Sequence, residues 1–212
     1  MPGRFITLEG SEGAGKTLQA ERLADALRER GQHVRLTREP GGTRLGEAIR
    51  SIVLARGKDG DAGINARADA LLFNAARAQL VAEVIEPALA AGETIVCARF
   101  SDSTLAYQGY GSGLPIDELR AIGAVATAGL RPDLTILLDV PPEVGLARKA
   151  ADARNRFEAS FDLEFHRRVR AGFLELARQE PDRWRVIDAA RDPDAVFADV
   201  LAATGPGSAP AR

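Results

Sequence analysis

Gly10-Ser11-Glu12-Gly13-Ala14-Gly15-Lys16-Thr17 decides the reading of this chain. The stretch fits the pattern G-x-x-x-x-G-K-[ST], and its flanks supply the setting that the bare pattern needs. Before it, Phe5-Ile6-Thr7-Leu8 has the character of a short buried strand. After it, Leu18 to Arg30 places Leu23 and Leu27 four residues apart, on one face of a helix. Strand, glycine loop and helix in that order make a phosphate-binding loop. Glycines let successive backbone N–H groups turn toward phosphate oxygens, and the helix N-terminus adds partial positive charge. Gly10 through Thr17 then hold nucleotide phosphates, with Lys16 reaching the outer ones and the Thr17 hydroxyl on Mg²⁺. The competing reading is an accidental glycine-rich turn. Against it, only three of the 28 basic residues are lysines, Lys16, Lys58 and Lys149, and one of them stands where the loop needs an ammonium.

The rest of the chain alternates short apolar runs with helical patterns. Val34 to Thr37, Thr94 to Ala98, Leu134 to Leu138 and Arg185 to Ile187 are expected as strands two to five. Helices are expected over about Leu45–Ala55, from a cap at Asn65 to about Glu86, from Pro115 to about Ala128, near Pro142, and over about Phe161–Gln179. Arg56 to Gly63 and Gly109 to Leu114 read as glycine-rich loops. Such alternation predicts an α/β protein whose parallel sheet is covered on both faces, with its active site at the carboxyl ends of the strands. The expected organisation is a single domain over residues 1–204 with a small basic lid at about 148–158. A small, polar tail at 205–212 is expected to be disordered.

Composition narrows the function. A formal charge of −2 argues against general nucleic-acid or anionic-membrane binding, and no apolar run is long enough to span a bilayer. The start of the chain shows no signal-peptide pattern and Cys97 is the lone cysteine, so a cytoplasmic protein with an inert buried thiol is expected.

Further polar groups follow the strand ends. Arg38-Glu39-Pro40-Gly41-Gly42-Thr43 sets a guanidinium, able to grip a phosphate with two parallel bonds, beside a rigid turn. Phe73 and Arg77 share a helix face and suit a nucleobase, although core packing for Phe73 and a solvated Arg77 are the simpler reading in isolation. Arg99 through Gln108 brings a charge, hydroxyls, the Tyr107 phenol and an amide to the end of strand three. Arg148, Lys149, Arg154 and Arg156 form a basic segment after strand four, either a solvated surface or a lid that carries an arginine to the transferring phosphoryl group.

With these motifs assembled, the chain resembles the thymidylate kinases, nucleoside monophosphate kinases that make dTDP from dTMP and ATP. The likeness runs from Phe5 to about Asp188. It rests on Gly10–Thr17, Arg38–Thr43, Leu71-Leu72-Phe73 with Arg77, Asp102–Gln108, Leu137–Arg148, Arg156-Phe157-Glu158 and the helix that follows. It implies a P-loop NTPase fold with a five-stranded parallel sheet, ATP with Mg²⁺ as donor, dTMP as acceptor, and a homodimer. It also implies roles. Glu12 lies near the acceptor's 3′-hydroxyl, and Arg38 and Arg99 hold the acceptor phosphate. Phe73 stacks on thymine and Arg77 bonds its O4, while Thr104 and Gln108 complete base recognition. Tyr107 crowds the sugar 2′ position. Ser11, Glu12 and Ala14 leave the P-loop without an arginine, which assigns the transition-state cation to Arg154 or Arg156 in the lid, with Arg148 on the ATP side.

One position departs from the pattern. The family has Asp-Arg at the end of strand three, whereas this chain has Ala98-Arg99. The resemblance then implies that Arg99 lacks a usual partner, that support for Mg²⁺ is weaker, and that turnover is reduced. The alternatives are a catalytically silent nucleotide binder and a kinase for another pyrimidine nucleotide.

Overall fold

The computed structural model describes residues 3–54, 64–150 and 162–205. Five strands build one sheet: β1 (Phe5–Glu9), β2 (Val34–Arg38), β3 (Thr94–Ala98), β4 (Leu134–Asp139) and β5 (Trp184–Asp188), in the spatial order β2-β3-β1-β4-β5. Every pairing is parallel, with Leu8 opposite both Ala98 of β3 and Ile136 of β4.

Strands buried on both sides need apolar residues at successive positions, and β1, β3 and most of β4 have them. Side chains still alternate between the faces. Ile6, Leu8, Val96, Leu134, Ile136 and Leu138 pack toward α1 (Lys16–Glu29) and its Leu23 and Leu27. Phe5, Ile95 and Cys97 turn the other way, onto Leu80 at the end of α3 (Ala66–Leu80). Beside β4 a third cluster joins Leu137, Trp184 and Tyr107 to Phe165, Val169 and Phe173 of α8 (Leu163–Gln179). Cys97 is fully buried, and burial pushes its thiol well above the ordinary range, in keeping with an inert group.

Three expectations change. The helix predicted to stop near Glu86 runs through a π-helical turn (Val81–Ile85) into α4 (Glu86–Ala90). Pro87 lies in the first turn of α4, and the wider turn just before it accommodates a residue with no N–H to donate. The first half of the glycine-rich stretch predicted as a loop at 109–114 is helical, with α5 (Ser101–Thr104) continuing into a second π-helical segment (Leu105–Gly111), and only 112–114 leave the helix. Its glycines serve close packing. A Cβ on Gly109 would sit 2.4 Å from Ile116, and one on Gly111 2.7 Å from the Phe165 ring. α8 is described from Leu163, with the Asp162 carboxylate accepting the Phe165 N–H as its cap, while the expected start at about Phe161 lies outside the described residues. A last helix, α9 (Pro193–Ala203), capped by Asp192, covers α1 and was not expected.

The remaining helices are α2 (Arg44–Leu54), α6 (Ile116–Thr127) and α7 (Pro142–Ala150). The loop predicted at 56–63, most of the lid, including Arg154 and Arg156, and the tail beyond residue 205 lie outside the described residues. Among the described residues no helix is long and apolar enough to cross a membrane.

Candidate active site

β1 is the central strand, with β3 and β4 on either side, so the turns that leave β1 and β3 emerge side by side. One turn is Gly10–Gly15 and the other starts at Arg99. Gly10, Gly13 and Gly15 all have positive φ, at 145°, 69° and 85°, backbone that side-chain-bearing residues rarely adopt. α1 starts immediately after, with Gly15 as its cap and no side chain bonded to its first N–H groups. Among the described residues no acceptor takes the backbone N–H groups of Gly13 or Gly15. A ring of open donors at a helix N-terminus favours an anion. Gly13 also lies against α7. A Cβ there would fall 2.0 Å from the Gly145 carbonyl oxygen, so the paired glycines let the loop touch the helix that leads into the basic segment.

Lys16 and Thr17 open α1. Lys16 folds back on its own loop, donating to the Gly10 and Ser11 carbonyls at 3.0 and 2.7 Å, while Thr17 is exposed. Burial, reinforced by the nearby Arg99 charge, lowers the Lys16 ammonium to about 7. Glu12 sits between cations, bonded to Lys149 at 2.8 Å and Arg99 at 3.3 Å. Burial opposes its charge, yet Lys16, Arg99 and Lys149 together hold it below the usual carboxylate range.

Arg99 adopts φ = 71°, unusual for a residue with a Cβ. Its neighbours fix that turn. The Phe100 N–H donates to Glu9 Oε1 at 2.7 Å and the Ser103 hydroxyl to Glu9 Oε2 at 2.6 Å. Glu9 is fully buried, and burial, aided by the Asp102 charge, pushes its carboxyl up to about 7. The Arg99 guanidinium reaches Glu12, the Tyr107 hydroxyl and Ser103, each at 3.3 Å. With Ala98 offering no carboxylate, Glu12, Ser103 and Tyr107 hold Arg99 in place of the usual partner.

A cleft of about 510 Å³ joins these parts. Glu12, Gly13, Gly15, Lys16, Thr17, Arg38, Phe73, Arg77, Arg99, Thr104, Tyr107, Gln108 and Arg148 all line it. Arg99 links the loop to the segment after β3 by bonding both Glu12 and Tyr107, and Arg77 bonds Thr104. Arg148 donates to the Ala189 and Ala190 carbonyls at 2.8 and 3.0 Å, which ties α7 to the turn after β5. Arg38 is half exposed and bonds Glu47. Phe73 is half-buried, packed beside Ile49 and Val53 while also lining the cleft. Gly10, Ser11 and Ala14 are buried beneath the loop rather than on the cleft wall.

Arg77 corrects the simpler reading of a solvated neighbour. Its side chain is 1% exposed, and it donates to Glu39 Oε2 from both Nε and Nη2, at 2.9 and 2.7 Å. It also donates to Asn74, the Phe100 carbonyl and Thr104. Tyr107 belongs at once to the α8 cluster and to the cleft.

Several lining groups were missed in the sequence. Arg50, with a guanidinium bonded to the Pro40 carbonyl, stands near Arg38 and adds a cation. Glu39 clamps Arg77, and Asp69 receives the Gln108 amide at 2.9 Å. A signal existed only for Glu39, which lies within the Arg38–Thr43 motif.

Strand order, loop and cleft define a P-loop nucleotide-binding protein of the kinase type. The thymidylate kinase family model matches residues 8–200. A thymidylate kinase of Solidesulfovibrio magneticus is 51% identical over 209 residues, spanning 95% of this chain and 98% of its own. One from Deinococcus radiodurans is 52% identical over 202 residues, spanning 95% and 96%. The crystal structure of thymidylate kinase from Ehrlichia chaffeensis superposes with a TM-score of 0.78 at 32% identity, covering 97% of this chain and all of that one. The chain belongs to the thymidylate kinase family. Nothing in these comparisons supports the silent binder or a kinase for another pyrimidine nucleotide.

Proposed function

We propose that this chain transfers the γ-phosphoryl group of ATP to dTMP, giving dTDP and ADP. The observation that carries the reading is a single cleft lined together by the phosphate-binding loop, by Phe73, Arg77 and Gln108, and by Arg38 and Arg99. That set of groups suits two nucleotides meeting phosphate to phosphate. Family membership supports the same donor and acceptor.

The protein's task is positioning and charge neutralisation. The loop N–H groups and Lys16 hold the donor phosphates. Arg38 and Arg99 hold the acceptor phosphate in line, while Phe73 stacks on the base and Arg77 and Thr104 meet its O4 edge. Glu12 orients the sugar near its 3′-hydroxyl, and Tyr107 fills the space a 2′-hydroxyl would need. Arg148 holds the adenine side, and Arg154 or Arg156, in a lid at about 148–158, neutralises the moving group.

The donors at the loop fit a hard cation brought in on phosphates: an exposed Thr17 hydroxyl at the start of α1, next to open backbone N–H groups. Bound Mg²⁺ supplies charge neutralisation of the β- and γ-oxygens, with Thr17 as its protein ligand.

The same reading covers assembly and location. Residues 1–204 act as one kinase domain. A homodimer forms through α3 and α6, where Leu71 is 57% exposed and Val125 85% exposed. The enzyme works in the cytoplasm, without nucleic-acid or membrane partners. The test is ADP formation from ATP and Mg²⁺ with dTMP, dUMP, dCMP or thymidine as acceptor. Turnover that depends on dTMP supports the assignment, and turnover indifferent to the acceptor refutes it.

A further inference from the structure

Gln108, already assigned to base recognition, is paired in the cleft with Asp69, a residue to which that reading gives no part. Asp69 lies in the first turn of α3 and Gln108 in the π-helical segment after β3, 39 residues apart in sequence. Both are nearly buried, at 3% and 7% exposure, and both line the cleft. Gln108 Nε2 donates to Asp69 Oδ2 at 2.9 Å.

A carboxamide is symmetric in shape but not in chemistry. One end donates and the other accepts, and a half-turn about its last torsion exchanges them. A carboxylate removes that freedom, because an ionised carboxylate only accepts. The contact observed is of that kind: the amide nitrogen of Gln108, not its oxygen, faces Asp69 Oδ2. Gln108 must therefore turn its NH₂ toward Asp69, which leaves Oε1 as the end available to a ligand. Among the described residues nothing donates to Oε1.

The neighbouring Arg77 contributes the opposite character. Nε and Nη2 are committed to Glu39, Phe100 and Thr104, and Nη1 gives one N–H to Asn74. The second Nη1 N–H has no acceptor among the described residues. The cleft thus offers a fixed donor and a fixed acceptor.

We infer that Asp69 is a specificity-determining positioning residue: by fixing the Gln108 carboxamide it makes the cleft select a 4-oxo pyrimidine over a 4-amino one. Thymine and uracil present an O4 acceptor beside an N3–H donor and match both groups. Cytosine presents a 4-amino donor beside an N3 acceptor and mismatches both. A site built on hydrogen bonds rejects such an inversion far more strongly than a pocket rejects one methyl group. Asp69 therefore bears on dTMP against dCMP and not on dTMP against dUMP. This inference rests on the kinase reading above.

The test compares Asp69→Asn with the wild type, using dTMP, dUMP and dCMP as acceptors and separating kcat from KM. Asparagine keeps the shape but can donate or accept, so it frees the Gln108 amide to invert. The expected result is a fall of about tenfold or more in the dTMP:dCMP ratio of kcat/KM, carried by KM, with the dTMP:dUMP ratio unchanged. A folded variant that keeps its dTMP:dCMP ratio, or loses both ratios together, overturns the inference. If Asp69→Asn does not fold, Gln108→Leu is expected to lower the same ratio, and an unchanged ratio there overturns it. If the wild type phosphorylates none of the three, the kinase reading fails instead. Calorimetric binding of the three nucleotides to wild type and variant then still reads the amide, by the same ratio.

Discussion

Glu39 and Arg77 form a closed ion pair beneath the cleft, with Nε and Nη2 of the arginine both donating to the same carboxylate oxygen at 2.9 and 2.7 Å. The side chains are 4% and 1% exposed. Neither charge has bulk water to fall back on, so each depends on the other. Glu39→Ala strands the guanidinium and is expected to cost about 3–5 kcal/mol of unfolding free energy. Glu39→Gln retains an acceptor and is expected to cost less. Urea denaturation of the two variants measures this, and a loss below about 1 kcal/mol for Glu39→Ala would show that Arg77 has relaxed into water.

Lys16 makes a prediction about protons. With its ammonium lowered from 10.5 to about 7, the lysine is mostly neutral at pH 8.5 while the loop holds no phosphate. Bound phosphates favour the charged form and raise it again. ATP binding at pH 8.5 is therefore expected to take up close to one proton. Calorimetry in buffers of different ionisation enthalpy counts it, and Lys16→Met abolishes it. A lysine at its ordinary value takes up none.

Glu9 links the same region to stability. Its carboxyl titrates near 4.5 in an unfolded chain and at about 7 when folded, so the folded state binds the proton more tightly. The resulting stabilisation is complete below about pH 4.5 and lost as the pH rises through about 7. Wild type is expected to lose up to about 3 kcal/mol more than Glu9→Gln between pH 4.5 and 8. Parallel stability profiles for the two proteins would contradict the burial argument.

Ala98 borders the cleft at 6% exposure, next to Arg99. A carboxylate there would add outer support for the metal ion, a contribution worth roughly 10–100-fold in metal affinity or activity. Ala98→Asp is expected to lower the Mg²⁺ concentration giving half-maximal turnover by about tenfold and to raise kcat. No change in either would mean that the groups already holding Arg99 suffice.

The sequence carried the parts of the site that are local. Gly10–Thr17 specifies its loop within eight residues, and alternation of strand and helix was enough for a parallel sheet. What it hid depends on distance or on packing. Glu39 and Arg77 are 38 residues apart, and their pairing brings the turn after β2 against α3. Asp69 gives no local signal, because its partner Gln108 arrives from another element. Gly109 and Gly111 carried the composition of a loop, although their role is to let a helix approach Ile116 and Phe165. α9 has its start signal in Asp192-Pro193, a capping carboxylate followed by a proline in the first turn. The basic segment was legible as a charge run after strand four, and its Arg154 and Arg156 lie outside the described residues.

The central claim is tested most directly by chromatography of the products formed from ATP, dTMP and Mg²⁺, with thymidine in place of dTMP as the control. The account predicts dTDP and ADP in equal amounts with dTMP, no dTMP formed from thymidine, and loss of both products in Lys16→Met. ADP without dTDP, or measurable dTMP binding with no dTDP, would contradict it.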